Sequence, residues 1–253
     1  MVNNVVEKRE MSHPDRKSIL PRGRLYEPAL QAETAAALRA LLREDMEARA
    51  WVKDDEDYPY HPGEPFIVYE PMNKKPEMGV AVLLGKLARF ELGQDHEHGL
   101  VLIGVPRSAT WMAQVIMEAG VFPSAQVAHV TKEPADIPVG ASVHESLILS
   151  YAHKRKPDNS RAPEVVYFVH PERIAGKDVL LVDDVLAEGE TVIGMARVMR
   201  DLGANRVDAA VVLSKVLQGG SKNIQESQLV EQLVEGVRVS AVRGPGFRKL
   251  VFE

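Results

Sequence analysis

The chain has 253 residues, 45% of them hydrophobic and 26% charged, with a formal net charge of -5 and no cysteine. That size supports one large α/β domain, or a domain with an appendage. The acidic balance argues against a nucleic-acid surface, and the lack of cysteine removes disulfides, thiolate metal sites and a cysteine nucleophile. No apolar run has the length of a signal-peptide core or a membrane span, so a cytoplasmic protein with no membrane partner is expected.

Residues 1–24 are polar, carry Pro14 and Pro21 and close on Arg22-Gly23-Arg24. They read as an N-terminal arm, either ordered on a partner subunit or a disordered tail, which leaves 25–253 as the domain proper. Leu30, Ala37, Leu38, Leu41, Leu42 and Met46 recur at helical spacing and predict a helix over 28–50. The acidic, aromatic and Pro-rich stretch 51–65 has loop chemistry, as a surface loop or as a lid over a ligand. A short strand over 66–69 and an amphipathic helix over 78–92 follow. From Leu100 the pattern becomes regular: a strand over 100–103, a helix over 109–119 and a strand over 125–130. The segment from Thr131 to Tyr151 is rich in Gly, Pro and Ser with few helix signals. The run 153–163 is basic (Lys154, Arg155, Lys156) and reads as a solvated excursion or a basic lip. Apolar strands are expected over 165–168, 179–182 and 207–213, with a helix over 192–200 between the last two. A helix over 224–234, a strand over 237–242 and a terminal apolar run 250–252 complete the chain. Strands alternating with helices of this length make a mostly parallel sheet with right-handed crossovers.

The decisive stretch is Val179-Leu180-Leu181-Val182-Asp183-Asp184-Val185-Leu186-Ala187-Glu188-Gly189-Glu190-Thr191. Four apolar residues without alternation read as a strand buried on both faces, and ligands of open α/β sheets bind at the carboxyl ends of such strands. Gly189 permits a tight turn, Thr191 supplies a hydroxyl, and the helix that follows aims its first N–H groups at the same place. That combination seats a phosphate. The two carboxylates repel phosphate and suit sugar hydroxyls, so the minimal ligand is a sugar phosphate.

This stretch resembles the 5-phosphoribosyl-1-diphosphate (PRPP) motif of the type I phosphoribosyltransferases, an apolar strand running into an acidic pair and a loop that ends Thr-Gly-x-Thr. The resemblance covers about residues 98–215 and is nearest to the adenine and xanthine phosphoribosyltransferases. It implies a Rossmann-like, mostly parallel sheet with a hood built from the N- and C-terminal segments. It also implies a homodimer and an Mg²⁺-dependent transfer of the phosphoribosyl group from PRPP to a nucleobase, purine favoured. Asp183 and Asp184 would hold the ribose hydroxyls and meet the metal through PRPP or water. Val185, Leu186, Ala187, Glu188, Gly189, Glu190 and Thr191 would surround the 5′-phosphate. The turn Gly104-Val105-Pro106-Arg107-Ser108-Ala109 looks like the diphosphate turn, with Arg107, Ser108 and Ala109 as its ligands. Lys132, in Val130-Thr131-Lys132-Glu133-Pro134, matches the family's diphosphate lysine, and the residues after it match its flexible catalytic loop.

Two residues depart from the family pattern. Glu188 replaces the first Thr of Thr-Gly-x-Thr; pointed inward at ~5 Å from the phosphate it would cost roughly 3 kcal/mol per phosphate charge at an effective dielectric of 20. Ser150 replaces the glutamate of the catalytic loop, and Glu145 is a candidate substitute. The same departures suit the alternative of a non-catalytic PRPP-binding regulator, although the first 75 residues do not resemble a winged helix. Trp51 and Phe247 are candidates either for stacking on the base or for the core, and His144 is the histidine nearest the expected chemistry.

Overall fold

A computed structural model describes residue 29 and residues 31–53, 66–69, 78–93, 99–106, 109–149, 163–244 and 247–253. The expected arm 1–24, the acidic loop beyond residue 53, the basic stretch 153–162, and Arg107, Ser108, Ser150 and Tyr151 lie outside the described residues.

The first helix, α1, spans Ala35–Arg49 and is shorter than the spacing predicted, because Thr34 caps it by accepting a hydrogen bond from the Ala37 N–H at 3.2 Å. It passes directly into strand β1 (Ala50–Lys53), which pairs antiparallel with β2 (Phe66–Tyr69), so the start of the expected loop is extended instead. Helix α2 (Met78–Leu92) falls where its periodicity put it. Strand β3 (Leu100–Gly104) and helix α3 (Thr110–Glu118) follow, and then the expected strand over 125–130 divides. Gln126–Val127 forms β4 beside β3, whereas His129–Thr131 forms β5 in a different sheet.

The segment expected to be irregular contains a seven-residue strand, β6 (Val143–Leu149), paired antiparallel with β7 (Pro163–Val169). These two and β5 form a three-stranded sheet in the order β5-β7-β6, apart from the main one. Residues 165–168 therefore do not enter the parallel sheet, contrary to the simple alternating pattern. The motif strand β8 (Asp178–Leu186) leads to helix α4 (Glu190–Asp201) and strand β9 (Arg206–Lys215). Helix α5 covers Gly220–Ser227 and stops at Gln228, which is left-handed at φ 57, so residues beyond 228 are not the helix their Gln and Glu content suggested. Strands β10 (Leu233–Gly244) and β11 (Phe247–Phe252) end the chain as a hairpin.

The main sheet has six strands in the order β11-β10-β9-β8-β3-β4, parallel throughout except for β11. Alternate residues of β8 feed two cores. Leu180 and Val182 pack with Leu38, Leu42 and Met46 of α1, Leu83, Leu84 and Leu87 of α2, and Met112 and Ile116 of α3. Val179 and Leu181 pack with Val192, Met195 and Met199 of α4, and with Val130, Ile148, Val166 and Phe168 of the small sheet. Such two-sided burial explains why β8 and β9 read as unbroken apolar runs. Among the described residues no helix is long and apolar enough to cross a membrane.

Chain order reverses between β3 and β8, because β4 lies outside β3 and the strands from β8 onward build in the other direction. A crevice at such a reversal is where open α/β sheets receive ligands. The turn after β3 and the loop after β8 both open there.

Candidate active site at the carboxyl ends of β3 and β8

The first wall is the turn after β3. The Val105 N–H donates to the Val182 carbonyl at 2.8 Å and the Ala109 N–H donates to the Val105 carbonyl at 3.1 Å, so the turn folds back over the end of β8's neighbour. Gly104 is required by that fold: a Cβ there would lie 2.2 Å from the Ala109 carbonyl oxygen and 2.6 Å from the Thr110 Cα. Ala109 is the N-cap of α3 and has no side-chain cap, which leaves the helix start to backbone groups. Ala109 is fully buried.

The second wall is the loop 187–191. Gly189 caps α4 in the left-handed region, φ 80, and its carbonyl accepts from the Ile193 N–H at 2.9 Å. A side chain at 189 would meet the Gly220 carbonyl oxygen at 3.0 Å and Ile224 at 3.1 Å, and one at 220 would meet the Ala187 carbonyl oxygen at 2.2 Å. Two glycines thus let α5 lie directly against the loop. Asn223 of α5 donates its Nδ2 to the Glu188 carbonyl at 3.0 Å, which turns that oxygen toward α5. Glu188, Glu190 and Thr191 are each half-buried, and Glu190 stands in the first turn of α4.

Between the walls lies the acidic pair. Asp183 Oδ1 accepts from the Asp184 N–H at 2.9 Å, and Asp184 Oδ1 accepts from the Val185 N–H at 2.8 Å. Each carboxylate is tethered by one oxygen to the backbone, and the two side chains also bond to each other. Burial, with Asp184 alongside, pushes the Asp183 carboxyl well above the usual carboxylate range, and the nearby Lys132 charge draws it partly back. The strand runs on past the pair to Leu186, so the carboxylates sit inside an extended segment, three and two residues short of its end.

Lys132 follows β5 directly, and its ammonium pairs with Glu164 of β7. It shares the neighbourhood of Asp183, which joins the small sheet electrostatically to the motif strand. Lys215, at the end of β9, is 6% exposed and had no place in the sequence reading. Burial lowers its pKa to about 8 despite the opposing pull of Asp184. A lysine terminating the apolar run 207–213 was the available signal, since a cation that closes a two-sided buried strand faces its end.

Other expectations fall elsewhere. Glu145 is exposed on β6, whereas His144 is half-buried, with Nε2 2.9 Å from the Ser146 hydroxyl and its ring tilted beside Phe168. The side chains of Trp51 and Phe247 lie outside what is described, although their backbones belong to β1 and β11. Ser142, His170 and Glu172 cluster on the surface, but Ser142 and Glu172 both address Nδ1 of His170, so the histidine has no arrangement for relaying a proton from the serine to the acid.

The described residues hold no group of three or more His, Cys, Asp or Glu side chains fit to bind a metal ion. The oxygen chemistry of an adjacent carboxyl pair fits a hard cation that brings substrate oxygens with it, which is how Mg²⁺ is commonly held beside phosphates.

A phosphoribosyl transferase domain model matches residues 75–235. The chain is 38% identical over 60 residues to the adenine phosphoribosyltransferase of Bordetella avium, covering 23% of this chain and 33% of that protein. It is 30% identical over 123 residues to the xanthine phosphoribosyltransferase of Leuconostoc mesenteroides, covering 43% of this chain and 60% of that protein. The matches thus span a third to three fifths of these curated relatives. In overall shape the chain is similar to the adenine phosphoribosyltransferase of Giardia lamblia, solved with 9-deazaadenine (TM-score 0.52, 15% identity, 82% of this chain and 98% of that one). It is also similar to the enzyme of Trypanosoma brucei, solved with AMP, pyrophosphate and ribose-5-phosphate (TM-score 0.56, 16% identity, 77% of this chain and 78% of that one). At these identities the likeness is one of fold.

Proposed function

This chain belongs to the phosphoribosyl transferase domain family, whose model spans residues 75–235, and on that premise we propose that it transfers the 5-phosphoribosyl group of PRPP to a purine-type base with release of diphosphate. The observation that carries the proposal is the tethered pair Asp183–Asp184 lying between two backbone-built loops at the chain reversal of the sheet.

In this mechanism the carboxylates of Asp183 and Asp184 accept from the ribose hydroxyls and favour the positive charge that grows on the ring as the diphosphate leaves. The loop 187–191 and the start of α4 hold the 5′-phosphate with backbone N–H groups, Thr191 adding its hydroxyl. The bond between Asn223 and the Glu188 carbonyl supports that function by turning one acceptor away from the anion. Lys132, Arg107, Ser108 and the amide of Ala109 position the diphosphate. Mg²⁺, held chiefly by substrate oxygens with Asp183 and Asp184 reaching it through water, would neutralise part of the leaving group's charge. A nitrogen of the base then attacks the anomeric carbon from the face opposite the diphosphate.

The test is calorimetric titration of PRPP with Mg²⁺, followed by a panel of purine and pyrimidine bases monitored for diphosphate release. Release with a purine base is expected. PRPP binding without release for any base would defeat the catalytic proposal, and absence of PRPP binding would defeat the site itself.

A further inference from the structure

Lys132 faces two acids. Its ammonium pairs with Glu164, and its charge also acts on Asp183 across the site. The backbone that carries it is held firmly: the Thr131 hydroxyl accepts from the Glu133 N–H at 3.0 Å and bonds the Asp136 carboxylate at 3.2 Å. The side chain is 12% exposed and that of Glu164 31% exposed, so solvent screens the pair only in part. Glu164 stands near the start of β7 and pairs in register with Ile148 of β6, a fully buried residue. It thus belongs, like β5 and the Lys132 that follows it, to the small sheet, and it is the charge of Lys132 that reaches from that sheet to Asp183 of the motif strand.

Building on the proposed phosphoribosyl transfer, we propose that Glu164 is a displaceable stand-in for the diphosphate. It holds Lys132 beside the acidic pair in the ligand-free protein and yields the ammonium when diphosphate arrives, so that it sets how tightly the leaving group is bound and how fast it departs. The chemistry of the contact supports this. A carboxylate and a diphosphate oxygen make the same charge-assisted bond to an ammonium, and the diphosphate carries more charge. Once it has yielded the lysine, Glu164 is a negative charge close to a polyanion, which weakens retention of the product. Product release limits turnover in many enzymes, and a built-in competitor for the binding lysine speeds that step. Glu164 is a positioning residue in this account, acting on the ligand through Lys132.

The experiment compares the full-length protein with its Glu164→Gln variant, titrating each with inorganic pyrophosphate and with PRPP in the presence of Mg²⁺. Pyrophosphate is expected to bind E164Q about tenfold more tightly, more so at low salt, and both kcat and KM for PRPP are expected to fall because the product leaves slowly. Glu164→Ala guards against an effect peculiar to glutamine and should move in the same direction. In a Lys132→Met background the effect of E164Q should vanish, since the two residues act as one unit. Equal or weaker pyrophosphate binding by E164Q, with PRPP bound by both proteins, overturns this inference and leaves the functional proposal standing. Failure of both proteins to bind either ligand overturns both.

Discussion

Asp183 is 8% exposed, and the burial that raises its carboxyl pKa makes its ionised form costly in the folded protein. A group whose folded pKa is raised contributes stability at low pH and loses it as pH rises through the folded value. Asp183→Asn, neutral at every pH, is therefore expected to raise the thermal unfolding midpoint at pH 7.5 while lowering kcat/KM by ~100-fold or more, the scale on which preorganised charge stabilisation is lost. Thermal denaturation beside steady-state kinetics checks both halves. Lys215 runs in the opposite sense. Its pKa falls from 10.5 to about 8, so across that window the unfolded chain holds a proton that the folded protein has released. Stability then rises with pH between those limits, by on the order of 3 kcal/mol. Lys215→Met should remove this rise, seen as the difference between variant and parent in denaturant unfolding at pH 7.5 and pH 10, and should raise stability at the lower pH. The sequence marked Asp183, because an acidic pair closing an apolar strand is conspicuous; it left Lys215 unmarked, because its partner Asp184 lies 31 positions earlier in the chain.

The loop 187–191 is shaped by two helices rather than one. Its glycine was expected to turn the chain, and Gly189 does so at φ 80, yet the space it preserves is the space α5 occupies. Gly220→Ala places a methyl group 2.2 Å from the Ala187 carbonyl oxygen, a backbone atom that cannot yield without moving the loop. Overpacking of this kind costs about 1–3 kcal/mol. PRPP affinity is expected to fall at least about tenfold by calorimetry, while far-UV circular dichroism stays unchanged. Unchanged affinity would mean that α5 does not support the loop. Periodicity located α4 and β8 well, because the apolar residues of α4 face one core and those of β8 are buried on both faces of the sheet. It failed on the run 125–130, which divides between the two sheets, and on 165–168, a genuine strand whose partners lie in the small sheet. An apolar strand looks the same whichever sheet receives it.

For the whole molecule, α1 from the N-terminal part packs against β10 from the C-terminal part. Leu42 is fully buried there, and a Cβ at Gly236 of β10 would come within 2.9 Å of its Cδ1. We take the flanks and the centre to be one cooperative unit, as the expected domain 25–253 requires. Leu42→Ala should then cost about 2–5 kcal/mol and lower the single unfolding midpoint by roughly 5–15 °C. Two separate transitions by calorimetry would show the flank to be an independent unit. The sequence by itself determined the class of fold, the family and the place of the acidic pair and its glycine loop at the end of a buried strand, because each is written in residues that are neighbours along the chain and in spacings set by local geometry. Tertiary structure alone decided that β5 leaves the main sheet, that Glu164 reaches Lys132, that Asn223 and Gly220 shape the loop from another helix, and that Lys215 is buried beside Asp184. Those contacts join residues far apart in the chain, and it is sheet order and packing that bring them together.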